Sequence, residues 1–183
     1  MIASMGRQCQ ARGELGKARD WLDKAALLQR KYGGSKWYKA RTLFFAGKLS
    51  AKRGEYGRTE EESKTAVLHF QEMRYREHQV LAVCALAWTY LLTHRTPQAE
   101  EVLVTALDLS KCFQSTSSSL CELQGRTCTS LQQFDTAKEW LHRALALQEA
   151  YMHCNSDLVQ VRLRCTQAHI SLEWGDSQPA RTF

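Results

Sequence analysis

Two segments of this chain, far apart, are near copies of each other. Residues 18–29 align with residues 137–148 at an offset of 119 residues, Ala18 against Ala137. Six of the twelve pairs are identical and three more keep their charge, so one structural unit is being used more than once. The offset is about three periods of roughly 40, which calls for intermediate copies and for a stack of small helical units. The copies can be found. Gly6, Gly13 and Ala25 recur as Gly47, Gly54 and Ala66, each displaced by 41. A third unit carries Leu86, Ala87, Tyr90, Ala99, Leu103 and Ala106, and a fourth carries Gly125, Cys128, Ala137, Leu141 and Ala144. A fifth begins with Cys165, Ala168 and Ser171 and reaches Gly175. The expected units are 1–34, 35–76, 77–114, 115–154 and an incomplete 155–183. Each reads as helix, tight turn, helix. The first helix has a small residue where the second must approach closely, and the second keeps its small and apolar residues on one face. The fold class that follows is all-α: a right-handed α-solenoid of helix-turn-helix repeats.

The spacing resembles the tetratricopeptide repeat. In that family a Gly or Ala sits midway along the first helix with an aromatic three residues on. The second helix carries Ala, a large apolar residue four later, and Ala three after that. Ala18, Leu22 and Ala25 fit, as do Ala99, Leu103 and Ala106, and Ala137, Leu141 and Ala144. The aromatic is present only at Tyr90; Cys9, Ser50 and Cys128 replace it elsewhere. The second unit departs further, with Thr59 and Ser63 where Ala and a large apolar residue belong. The period of about 40 exceeds the family's 34. Long-period arrays of this kind are similar to those of kinesin light chains and cell-polarity adaptors. The resemblance implies a non-catalytic module or adaptor that binds other proteins.

Helix boundaries are expected where the polar punctuation falls. Ser35 is placed to cap the helix after Gly33-Gly34. Thr96 is placed to cap a helix whose first residue is Pro97, and Asp135 to cap the helix of Trp140. Thr59-Glu60-Glu61-Glu62 has capping-box spacing, so the second unit's second helix is expected to begin late, near Thr59, with the three glutamates as a solvated start. Residues 115–119, mostly serine, read as a polar linker, and Asn155-Ser156-Asp157 as the beginning of the fifth unit. Met1 lies almost at the start of a helix and Phe183 inside one, so the chain reads as an excerpt of a longer array whose uncapped ends could self-associate.

Chemistry is not evident. There is no phosphate-binding glycine loop, since Gly16-Lys17 lacks the earlier glycine and the following Ser or Thr, and no nucleophile or H-E-x-x-H motif. No catalytic, cofactor or metal residue is assigned. The seven cysteines include no C-x-x-C pair, and they read as small apolar fillers in a reducing cytoplasmic compartment. Zinc would need four convergent ligands, which the scatter does not supply. The most apolar stretch, residues 80–92, is short of the ~20 residues a spanning helix needs and reads as a helix buried on both sides. The net charge of +6 admits nucleic acid, but the basic residues are spread among acids without a dense run. A charge-driven RNA-binding solenoid, or a structural arm of a larger ATPase, sensor or motor-associated protein, is the alternative.

The resemblance points to a concave groove lined by first helices. One position per unit, just after the small residue, gives Arg7, Lys48, Trp88, Arg126 and His169. A row one turn earlier gives Ala3, Phe44, Cys84, Glu122 and Cys165. Cations in a concavity speed encounter with acidic ligands, and buried aromatics supply binding energy. The expected partner is an acidic segment carrying an apolar anchor, held by Arg7, Phe44, Lys48, Trp88, Arg126 and His169. The asparagines with which related modules grip chaperone tails are absent from these places.

Overall fold

The structure, a computed structural model, describes residues 2–110, 114–151, 164–172 and 175. Eight helices follow in order: α1 Ile2–Ala11, α2 Leu15–Tyr32, α3 Lys36–Lys52, α4 Tyr56–Glu72, α5 Arg76–Leu92, α6 Thr96–Ser110, α7 Gln114–Ser130 and α8 Phe134–Tyr151. Residues 164–172 are helical as well, and no strand occurs among the described residues. The chain divides into two compact units, Met1–Thr89 and Tyr90–Phe183, with the division inside α5. In the first, α1 pairs with α2 and α3 with α4, while α3 also packs on α2 and α1. In the second, α7 pairs with α8, and α6 packs on α7.

The helical hairpins close where the first helix offers a position without bulk. A Cβ on Gly6 would lie 3.0 Å from Leu22 Cγ and 3.2 Å from the Ala18 carbonyl oxygen. One on Gly125 would lie 3.2 Å from both the Ala137 carbonyl oxygen and Leu141 Cγ. At Gly47 the neighbour is Ser63 Oγ, 2.9 Å away. The facing residues Ala18, Leu22 and Ala25, Ala99, Leu103 and Ala106, and Ala137, Leu141 and Ala144 are all buried. Fully burying a leucine is worth ~1.5–3 kcal/mol, so Leu22, Leu103 and Leu141 anchor their helices more strongly than any surface pair could. In the first unit the apolar contacts continue between neighbouring hairpins: Leu22 and Ala18 cluster with Ala46 and Leu49, and Phe70 with Ala40, Ala66 and Ala82.

The turns are one design repeated. Glu14 N–H donates to the Cys9 carbonyl (3.0 Å) and Gly13 N–H to the Gln10 carbonyl (3.2 Å). The same nested pair closes the other first helices: Glu55 to Ser50 (2.9 Å), Arg95 to Tyr90 (2.8 Å) and Gln133 to Cys128 (2.8 Å). It also closes α4, through Tyr75 to Phe70 (2.9 Å). This is the Schellman arrangement, which needs a left-handed residue at its centre. Gly13 and Gly54 supply it at φ 78° and 75°, whereas Arg74, His94 and Gln132 adopt it at 59°, 56° and 60° despite their side chains. The next helix then begins at once. Glu14, Glu55, Arg95 and Gln133 each accept that helix's first backbone bond, from Ala18, Thr59, Ala99 and Ala137.

This geometry corrects several expected boundaries. The helix α4 begins at Tyr56, not near Thr59, and the fully buried Thr59 returns its hydroxyl to the Glu55 carbonyl at 3.0 Å. Arg95, not Thr96, holds the cap position of α6, and Gln133, not Asp135, that of α8. Asp135 lies in the first turn, where its charge suits the helix dipole. Residues 115–119 are helical rather than a linker, because α7 starts at Gln114. Packing on α6 and α8 overrides the low helix propensity of serine. Ser35 does cap α3, accepting the Tyr38 N–H. Residues 80–92 behave as expected within α5, where Val80, Ala82, Val83, Leu86, Ala87 and Tyr90 are buried. No described helix is long and apolar enough to cross a membrane. The expected fifth-unit start at Asn155–Asp157 lies outside the described residues.

Candidate partner-binding surface

On the first-helix side of the N-terminal unit, three of the expected groove residues come together. Arg7 on α1 reaches across to α3, with its guanidinium carbon 5.8 Å from the centre of the Phe45 ring. One turn along α3, Lys48 Nζ lies 5.5 Å from the centre of Phe44. The two phenylalanine rings are 5.5 Å apart, tilted by 49°. Arg7 and Lys48 are exposed, while Phe44 and Phe45 are half-buried and rest on the apolar clusters below. Cations within ~6 Å of an aromatic face are held there by ~0.5–1 kcal/mol at exposed sites. The result is a patch of two positive charges laid over two aromatic rings.

The remaining residues of the expected rows are distributed differently. Trp88 is half-buried on α5. In the second unit Arg126 is engaged in packing: its Nη2 donates to Thr166 Oγ1 at 2.9 Å, and its Nε is 3.7 Å from Glu122 Oε1. His169 is exposed on the helical segment 164–172. Cys84 and Glu122 are buried and Cys165 is exposed, so the earlier row does not form one exposed stripe.

The N-terminal unit also holds a feature that sequence reasoning did not find. The backbones of α2 and α4 do not approach each other, and between them lies an open cleft of about 290 Å³ floored by α3. Polar contacts fix its walls. Arg19, only 7% exposed, donates from Nη2 to Glu62 Oε1 (3.0 Å), from Nη1 to Ser50 Oγ (3.3 Å) and from Nε to Asp23 Oδ2 (3.2 Å). Ser50 Oγ donates in turn to Glu62 Oε2 at 2.8 Å, and Arg58 Nε to Glu62 Oε1 at 3.2 Å. Farther along, Gln29 Nε2 donates to Thr42 Oγ1 at 2.9 Å, tying α2 to α3. Burial pushes the Glu62 carboxyl above the ordinary carboxylate range, and the Ser50 and Arg19 contacts oppose that push. Glu62 is therefore not part of a solvated helix start; it is the hub of an ion network between two neighbouring hairpins.

Ser50 stands where the resemblance would put an aromatic, and that polar substitution was the available signal for the network. Cys121 and Cys128 behave as fillers in the apolar cluster around Leu141, whereas Cys165 is exposed, and Cys112 and Cys154 lie outside the described residues. Burial raises the thiols of Cys121 and Cys128, with Arg143 opposing the rise at Cys121 and Glu100 adding to it at Cys128. Among the described residues no group of three or more His, Cys, Asp or Glu side chains is placed to hold a metal ion.

No protein-family model matches the chain, and no curated protein matches it. Among solved structures, a protein described as a kinesin light chain with nearly identical TPR-like repeats, from Podosopora anserina, is similar in shape. The TM-score is 0.68 over 97% of this chain and 87% of that one, at 16% identity. The fold is that of TPR-like helical repeats.

Proposed function

We propose that this chain is a non-catalytic docking module that holds an acidic segment with an apolar anchor against its first helices. The observation that carries this is the pairing of Arg7 with Phe45 and of Lys48 with Phe44 on one face of α1 and α3. Carboxylates would meet the two cations, and an apolar side chain would rest on the exposed parts of the rings, where aromatic anchors contribute most. Trp88 belongs to the same unit and adds a third aromatic to the proposal. Arg126 and His169 lie in the second unit and are proposed separately as contacts there, with Arg126 already engaged by Glu122 and Thr166.

The test is affinity capture with the intact chain and its Arg7→Glu/Lys48→Glu variant, after circular dichroism shows equal helicity. Loss of partners that share acidic, apolar-anchored segments supports the proposal. Unchanged capture removes it. Capture of RNA that weakens steeply with salt would assign the charge to the alternative, an RNA-binding array.

A further inference from the structure

We propose a second docking site, on the cleft between α2 and α4, for a carboxylate-bearing segment of a partner protein. It is distinct from the Arg7–Lys48 patch in position and in the residues it uses. The charges within the cleft are unequally matched. At one end Arg19 and Arg58 face Asp23 and Glu62, two cations against two carboxylates. At the other end Arg30 and Lys39 line the same cleft, and among the described residues neither has an ion-pair partner. His69 lines it too, with Nδ1 3.7 Å from Glu72 Oε2, but Glu72 is already held by Lys36 at 2.9 Å. Two positive charges therefore border the cavity, and among the described residues no carboxylate lies within ion-pair distance of either.

Between the charged ends the cleft is apolar, formed by Leu22, Ala26, Leu43 and Ala46. A cavity with an apolar floor and a cationic end matches an acidic side chain followed by an aliphatic one. The site is also preformed. The Arg19–Glu62 and Gln29–Thr42 contacts hold the walls at separate points, so a ligand need not order them on arrival. Arg30 in the last turn of α2 serves the helix dipole as well, but that role leaves its guanidinium open to a ligand.

The test uses the full chain and three end-blocked peptides: one of alternating Glu and Leu, its Gln-for-Glu counterpart, and its phosphoserine-for-Glu counterpart. Nuclear magnetic resonance would follow the amides of Ala26, Thr42 and Leu43. The expected result is saturable shifts with the Glu peptide and none with the Gln peptide. Binding should weaken at least about tenfold in Arg30→Gln/Lys39→Gln and remain unchanged in Lys48→Glu. Shifts that survive the Arg30/Lys39 change overturn the site. Equal binding of the Gln peptide overturns the carboxylate assignment, and a clear preference for the phosphoserine peptide reassigns the cleft to phosphoryl groups. Because the reporting amides lie in the cleft, failure here is distinguishable from failure of the Arg7–Lys48 patch, which Lys48→Glu reads out separately.

Discussion

Replacing Arg19 with Met should weaken the fold by roughly 2–3 kcal/mol. Methionine preserves most of the apolar stem, so the change isolates the guanidinium. Three hydrogen bonds are lost. The one to Asp23 counts for little, since that carboxylate is 57% exposed. The bond to Ser50 is worth about 1 kcal/mol and the charge-assisted bond to Glu62 about 1.5–3 kcal/mol. Two effects limit the total. Arg58 still donates to Glu62, and Glu62, already raised by burial, can take up a proton once Arg19 is gone. Thermal unfolding followed by far-ultraviolet circular dichroism should show a midpoint lower by about 4–12 °C. Urea unfolding of Arg19→Met, Glu62→Leu and the double variant closes a thermodynamic cycle. The double variant should lose less than the sum of the singles, with a coupling of ~1–2 kcal/mol. A single-variant loss below ~0.5 kcal/mol, or additive singles, would refute the assignment of Glu62 and Arg19 as a coupled pair.

Other consequences can be checked independently. The native Glu62 carboxyl binds its proton more tightly than the unfolded one, so the chain should gain stability relative to Glu62→Gln as pH falls from neutrality through that raised range towards 4.5. Urea titrations across this window measure the slope, and a slope of the other sign refutes it. Gln132→Gly should stabilise by a few tenths to about 1 kcal/mol because φ there is 60°, while Gly54→Ala should cost about 1 kcal/mol at φ 75°; chemical denaturation of the pair tests both directions. Gly125→Val should cost about 2–3 kcal/mol, since the Ala137 carbonyl oxygen already stands 3.2 Å from where a first carbon would go. A thiol reagent should modify exposed Cys165 long before Cys121 or Cys128, as mass spectrometry of timed aliquots would show.

Much of this fold could be read in the sequence because a few positions have only one steric solution. Gly6, Gly47 and Gly125 stand where another helix leaves little room for a first side-chain carbon, and the Ala-Leu-Ala spacing marks the face that meets them. The turns were harder to read. His94 and Gln132 do the work of Gly13 and Gly54 without sharing their chemistry, because the flanking hydrogen bonds join backbone groups. Local polarity misled in two places. Residues 115–119 look like a linker and Glu60–Glu62 like a solvated start, yet packing makes the first helical and burial makes Glu62 an internal partner. For the surface, spacing named Arg7, Phe44 and Lys48 but passed over Phe45, the ring on which Arg7 rests. It could not show that Arg126 would turn to Thr166, since that depends on a neighbouring helix and not on position within the repeat.

An array of look-alike hairpins faces a hazard that single-core proteins avoid: each hairpin can dock on the wrong sibling, or on a sibling from another chain. The polar trio of Arg19, Ser50 and Glu62 discourages that error. At the position of Glu62 the other repeats carry Trp21, Val102 and Trp140, and at that of Arg19 they carry Glu60, Glu100 and Lys138. A second hairpin stacked on the third would set Glu62 against Glu100 in place of a cation, and of the other siblings named only the fourth, with Lys138, offers one. Apolar residues make these hairpins adhesive, and one charged contact favours the first over the third as the second's neighbour.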